Sequence, residues 1–169
     1  MLVDLNRGRL LITGGAGFMG SAFIRMILEN KGFEGHLFNL DALTYCGNLD
    51  NLQLIQEDKR YTFVEGNITN KSLLKTLVAK EKIEAIVHFA AETHVDRSIE
   101  DGAAFVKTNV LGTYFLLEIV REFPHIHFHH LQLVLRRRKH VLLVSRLVFV
   151  VLAACTHGAT QRPVNHVRV

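Results

Sequence analysis

From residue 9 to about residue 133, short apolar runs alternate with longer stretches in which apolar residues recur every three or four positions. RLLIT at 9–13 is an apolar run closed by glycine, the signal of a buried strand. SAFIRMILENKG at 21–32 places Phe23, Ile24, Ile27 and Leu28 on one helical face, with Gly32 as the C-cap. HLFNLD at 36–41 predicts a second strand, NLDNLQLIQED at 48–58 a short helix, and YTFVEGNI at 61–68 a third strand. NKSLLKTLVAKEK at 70–82 reads as an amphipathic helix, with Leu73, Leu74, Leu77 and Val78 inward and its lysines on a solvated face. EAIVHFAAE at 84–92 predicts a fourth strand, and HIHFHHLQL at 125–133 a fifth. Between them GAAFVKTNVLGTYFLLEIVREF, 102–123, reads as a long helix broken by glycine near its middle, with Phe105, Tyr114 and Phe115 as packing residues. This alternation predicts an α/β fold: a parallel sheet with right-handed crossovers and helices on both faces.

Length and composition add little to that picture. A chain of 169 residues, 49% hydrophobic and 21% charged, is one globular domain rather than a disordered segment. Cys46 and Cys155 make no disulfide framework, so a reducing, cytoplasmic setting is expected. The first apolar run, Leu10 to Ile12, is too short for a secretory signal. Charge changes the picture more. Residues 1–122 hold all 16 acidic residues and 13 of the 20 basic ones, a balance of −3, whereas residues 123–169 hold 7 basic residues and no acid. The overall +4 therefore belongs to the tail and gives no ground for a nucleic-acid partner.

The chemistry of the sequence concentrates in TGGAGFMG at 13–20, between the first strand and the first helix. Gly14, Gly17 and Gly20 form G-x-x-G-x-x-G, and Gly15, Gly17 and Gly20 form G-x-G-x-x-G. Glycine reaches the positive φ of such a turn and keeps a Cβ away from a pyrophosphate. The following helix N-terminus offers unpaired amides and the positive end of its dipole, and Gly20 allows close helix–sheet packing. Asp41 ends the second strand 21 residues beyond Gly20, where an acid accepts from the adenosine ribose hydroxyls. A carboxylate there repels a 2′-phosphate and no arginine follows it, which favours NAD over NADP.

ITGGAGFMGSAFIR, NLDALTYCGNLDNL, HFAAETHVDRSIED and FVKTNVLGTYFLLE together resemble the N-terminal part of the dTDP-glucose 4,6-dehydratase family, extended short-chain dehydrogenase/reductases, over roughly residues 9–130. DALTYCGNL at 41–49 and AAETHVDRS at 90–98 carry most of the specificity. The resemblance implies a Rossmann-like domain holding NAD tightly. It implies a lyase activity in deoxysugar biosynthesis, by which dTDP-glucose becomes dTDP-4-keto-6-deoxy-glucose. By position, Phe18 and Met19 would cover the pyrophosphate turn, and Asp41, Ala42, Leu43 and Thr44 would line the adenosine pocket. Asn67 and Ile68 would lie beside the adenine. Ala90, Ala91, Glu92, Thr93 and His94 would wall the nicotinamide-side ribose, with Thr108 supporting the cofactor and His94 also touching substrate. Ala42 stands where the family commonly has lysine and Asn67 where it commonly has aspartate, so the adenine meets an uncharged acceptor. His88 reads as a core histidine, and Asp96 with Arg97 as a local ion pair.

After FHH at 128–130 the resemblance ends. The family continues with V-S-T-D-E-V-Y-G and later Y-x-x-x-K, the groups that move protons; here LQLVLRRRKH follows. Four residues beyond Tyr45, Tyr61 and Tyr114 stand Leu49, Glu65 and Glu118, never lysine. No catalytic residue is assigned on this chain. The loss of family motifs and of acidic residues at nearly one point is expected of a shifted reading frame near codon 130, which makes residues 131–169 an aberrant basic and apolar tail on a truncated sheet. Other readings of the tail are weaker. VLLVSRLVFVVLAAC at 141–155 is short for a membrane span and contains Arg146, and RRRKH at 136–140 lacks aromatic residues between its charges. His125, His127, His129 and His130 have no Cys or carboxylate beside them in sequence, and no metal is expected. The family forms homodimers through long helices, of which this chain carries only that at 102–123, so dimerisation is not expected. Alternatives to the leading function are a non-enzymatic dinucleotide-binding module and a fragment of a UDP-sugar epimerase or decarboxylase.

Overall fold

A computed structural model describes residues 6–93, 102–138 and 141–152. Strands β1 (Arg9–Thr13), β2 (His36–Asp41), β3 (Tyr61–Glu65), β4 (Ala85–His88), β5 (His127–Arg138) and β6 (Val141–Leu152) form one sheet in the order β3-β2-β1-β4-β5-β6. The first five are parallel, in registers such as Leu11↔Phe38, Leu11↔Ile86, Asp41↔Glu65 and His88↔His130. The sixth is antiparallel to β5. No pattern in the sequence had separated it from the tail. VLLVSRLVFVVL is a run rich in valine and leucine, interrupted by Ser145 and Arg146, that pairs along the length of β5.

Helix α1 (Phe18–Glu29) and a 3₁₀ helix, Leu49–Ile55, cover one face of the sheet. Helices α2 (Lys71–Lys80) and α3 (Gly102–Glu122) cover the other. The strands alternate accordingly. Leu11, Phe38, Ile86 and Phe128 join Leu74, Val78, Leu116 and Ile119 in one core, while Leu10, Ile12, Leu37 and Ala85 join Ile24, Leu28 and Leu52 in the other. Two ion pairs tie the covering helices together, Lys71 to Glu118 at 3.7 Å and Lys75 to Glu122, so the lysine face of α2 is not wholly solvated.

Some boundaries differ from those the periodicity predicts. Helix α1 begins at Phe18 rather than Ser21, because the glycine turn leads directly into it. It ends at Asn30 rather than Gly32: the Asn30 amide closes on the Ile27 carbonyl, and the Gly32 amide donates to Asn30 Oδ1 at 2.9 Å. Helix α3 is not broken at Gly112. It is wound as a π-helix over Val106–Gly112, and a Cβ at Gly112 would lie 2.5 Å from Ile68 Cδ1. That glycine serves close packing, not chain reversal. With 21 residues and a mean hydropathy of 1.3, α3 is long and apolar enough to cross a bilayer, yet Leu116, Ile119 and Val120 are buried against the sheet.

Candidate functional site

The strand order reverses direction between β1 and β4, and ligands of open α/β sheets bind at the carboxyl ends of strands beside such a point. There the chain turns from β1 into α1. Gly14 has φ +72, and a Cβ on it would lie 2.5 Å from the Ala90 amide nitrogen. A Cβ on Gly20 would meet the Gly14 carbonyl oxygen at 2.3 Å, and one on Gly15 would meet Asn39 Oδ1 at 2.2 Å. Gly17 is looser, its nearest neighbour being the Gly14 oxygen at 3.3 Å. Only glycine fits the first three positions without displacing backbone or a buried amide.

The first bond of α1 runs from the Ser21 amide to the Gly17 carbonyl at 2.9 Å. Gly17 occupies the N-cap without a side-chain cap, and the first turn holds no acid. The amides of Phe18, Met19 and Gly20 therefore precede the helical ladder, at the positive end of the dipole.

Asp41 is buried at 8% exposure and faces this turn. Its Oδ2 accepts the Ala16 amide at 2.8 Å and its Oδ1 the Leu43 amide at 2.9 Å. The Ala16 carbonyl accepts from the Asn48 amide at 3.1 Å and from Asn51 Nδ2 at 3.0 Å. The loop after β2 thus grips the turn after β1 at both the amide and the carbonyl of one residue, Ala16. Each carboxylate oxygen retains a further acceptor position for a ligand hydroxyl.

A cleft opens above this frame. It brings together Gly14, Gly17, Asp41, Ala42, Thr44, Asn67, Ile68, Ala90, Ala91, Glu92 and Thr108, all expected from the sequence. Gly20 lies just behind, packed on the turn, and Leu43 contributes its amide to Asp41 while adopting φ +48. Thr93 is exposed beyond Glu92, and His94 lies outside the described residues, as do Asp96 and Arg97. Phe18 and Met19 line a different hollow with Phe23, Met26, Phe89 and Leu131.

Three cleft residues had not been singled out: Cys46, Gly47 and Phe89. Gly47 was legible in the stretch DALTYCGNL, and its role is steric, since a Cβ there would lie 2.9 Å from Asp41 Oδ1. Asn67 differs from expectation in detail. Its Oδ1 accepts from the Thr69 amide at 2.9 Å and the Thr69 hydroxyl at 2.8 Å, so both lone pairs are engaged within the loop. The wall is clasped to α3, with the Glu92 amide donating to Asn109 Oδ1 at 2.8 Å and Asn109 Nδ2 donating to the Glu92 carbonyl at 2.9 Å.

None of the three tyrosines lines the cleft. Tyr61 is buried beneath the turn, its hydroxyl accepting from Asn39 Nδ2 at 2.9 Å, and burial holds its pKa above the usual tyrosine value. Tyr45 and Tyr114 are exposed. The cleft residues fit the diphosphate and adenosine ribose of a dinucleotide: a bare backbone turn, uncapped amides and a buried carboxylate, arranged together.

The family model described as GDP-mannose 4,6 dehydratase matches residues 11–132. The chain belongs to this family. The match takes in the glycine turn, Asp41 and the wall, and it stops where the acidic residues have already ended. Among dehydratases of the family, dTDP-glucose 4,6-dehydratase of Salmonella typhimurium is 45% identical over 115 residues, covering 68% of this chain and 31% of the relative. A dTDP-glucose 4,6-dehydratase of Escherichia coli is 40% identical over 132 residues. The chain therefore spans about a third of the length of the curated dehydratases it matches. The crystal structure of the Bacillus anthracis dTDP-glucose 4,6-dehydratase in complex with NAD superposes with a TM-score of 0.68 at 35% identity, over 85% of this chain and 44% of that one. UDP-glucose 4-epimerase of Thermotoga maritima, solved with UDP-glucose, gives 0.61 at 28% identity over 71% of this chain and 37% of that one. The fold is thus shared by dehydratase and epimerase, while the higher sequence identity lies with the dehydratases.

Proposed function

We propose that this chain is the NAD-binding, N-terminal part of a dTDP-glucose 4,6-dehydratase, and that it holds the cofactor without completing the dehydration. The bond between the Asp41 carboxylate and the Ala16 amide carries the reading, because it puts a ribose acceptor against the bare glycine turn. The similarity to dehydratases solved with NAD supports it.

The amides of Phe18, Met19 and Gly20 would meet the pyrophosphate, and the free acceptor positions of Asp41 the adenosine ribose. Ala42, Leu43 and Thr44 would line the adenosine, with Asn67 and Ile68 beside the adenine. Ala90 to Thr93 and Thr108 would bound the nicotinamide-side ribose, and His94 would approach the sugar nucleotide. Bound NAD would supply hydride acceptance and return. Removing the sugar hydroxyl proton requires a base, and no tyrosine of this chain lines the cleft. A single buried carboxylate at the ribose selects NAD over NADP through charge repulsion with a 2′-phosphate. The setting of such a chain is the cytoplasm, with no membrane or nucleic-acid partner.

Calorimetric titration with NAD, NADP, dTDP-glucose and UDP-glucose tests this, together with an assay for the 4-keto product. NAD binding well above NADP, with no 4-keto sugar formed, is the expected outcome. Product formation by the purified chain overturns the incomplete-enzyme reading, absence of NAD binding overturns the cofactor reading, and preference for UDP-glucose over dTDP-glucose points to an epimerase or decarboxylase. Stable NAD binding with affinity for neither sugar nucleotide points to a non-enzymatic dinucleotide module.

A further inference from the structure

We propose that His88 is a positioning residue for the nucleotide cleft: a neutral imidazole that holds the wall Ala90–Glu92 between the end of β1 and the π-wound turn of α3. This rests on the dinucleotide reading above.

The direction of every proton in the relay follows from its ends. The Thr113 hydroxyl donates to the Asn109 carbonyl at 2.8 Å, so toward His88 it can only accept. His88 Nε2, 3.1 Å away, is therefore the protonated nitrogen. Its Nδ1 is then an acceptor, and the Thr13 hydroxyl donates to it at 2.7 Å. Having given its proton, Thr13 Oγ1 is left as an acceptor facing the Ala90 amide at 3.5 Å. On the α3 side, Asn109 makes the two-bond clasp on Glu92. Both arms that leave the imidazole end on the cleft wall, one at Ala90 and one at Glu92.

A histidine that only fills space needs no such pair of partners. This one is 1% exposed, and the groups facing it are Thr13 of β1, Thr113 of α3, and Phe128 and His130 of β5, with no acid among them. The His130 ring stacks on it at 4.8 Å. Burial, then the neighbouring His130, lower its pKa to about 3, so the neutral ring persists wherever the protein is folded near neutrality. The π-winding over Val106–Gly112 is the other half of the device, since it carries Thr108 to the cleft and Asn109 to Glu92.

The test combines nitrogen-15 NMR of the histidine rings with NAD titration of the wild type, His88→Leu and His88→Gln. The wild type is expected to show the Nε2–H tautomer at His88. His88→Leu is expected to keep its far-UV circular dichroism, shift the Ala90 and Glu92 amide resonances, and weaken NAD binding tenfold or more well below its melting temperature. His88→Gln, which keeps a donor toward Thr113, is expected to recover part of that loss; a packing role alone predicts no such rescue. Should His88→Leu fail to fold, Thr113→Val breaks only the α3 arm, and a weakening of threefold or more is expected. An Nδ1–H tautomer, or a folded His88→Leu or Thr113→Val chain binding NAD within twofold of the wild type, overturns the proposal. A wild type that does not bind NAD overturns the dinucleotide reading instead, and unmoved wall amides in His88→Leu then overturn the relay as well.

Discussion

The carboxylate of Asp41 accepts the amide of Ala16 at 2.8 Å, joining the end of β2 to the middle of the glycine turn. A residue expected only to meet a ribose also shapes the glycine turn. Asp41→Asn puts an amide group where two backbone amides require acceptors, so one donor loses its partner. The expected cost is about 1–3 kcal/mol of stability, read by urea denaturation, together with a tenfold or greater loss of NAD affinity by calorimetry.

The glycines of the turn are not equivalent. Gly20→Ala forces a Cβ to within 2.3 Å of the Gly14 carbonyl oxygen, backbone that cannot swing aside. Gly17→Ala meets the same oxygen at 3.3 Å with an ordinary φ of −76. Gly20→Ala is expected to destabilise the fold by about 1–3 kcal/mol or more, and Gly17→Ala to change it by less than about 1 kcal/mol. Equal denaturation midpoints for the two variants would contradict the packing described.

Acid should loosen the fold before the carboxylates titrate. His88 has a folded pKa of about 3, below the ordinary histidine value of 6.5. The unfolded chain therefore binds more protons between those values, and stability present above pH 6.5 is lost as pH falls toward 3. The slope from this one group approaches about 1.4 kcal/mol per pH unit. His129 and His130, lowered chiefly by burial, add to it. Urea midpoints are expected to fall between pH 7.5 and pH 5, and to fall less steeply in His88→Leu.

The ion pairs between α2 and α3 should matter little. Lys75 and Glu122 are both about half exposed, at 54% and 41%. Lys75→Ala is expected to cost no more than about 1 kcal/mol, less at high salt, in a denaturation series with and without added sodium chloride.

The tail makes a prediction about nucleic acid sequence rather than protein. The match to the family model ends at residue 132, and no acid follows Glu122. Coding DNA read one or two bases out of frame beyond codon 130 is expected to restore a Ser-Thr-Asp-Glu run. A single open frame with no such run in any phase removes the idea.

Much of this architecture was legible along the chain. The strands at 9–13 and 36–41 coincide with their apolar runs, and α2 lies within its heptad-like stripe, because burial on one face leaves a local periodicity. The glycine turn and Asp41 were legible for a related reason. Positive φ and close approach permit only glycine, and an acid at a strand end is one residue type at one spacing. Sequence patterning mistook Gly112 for a breaker, since the Ile68 side chain that needs the space comes from a loop 44 positions earlier. It also missed β6, whose apolar run is as compatible with other structures as with an antiparallel partner.

Local pattern alone was enough to set the order of the first five strands and their helices, the glycine turn and the acid that follows it. Only the folded chain could decide which atoms those residues meet: Asp41 on Ala16, Asn67 on Thr69, and His88 between Thr13 and Thr113. Such partners are chosen by the register of β1 against β2 and β4 and by the winding of α3, which arise from contacts between segments far apart in the chain.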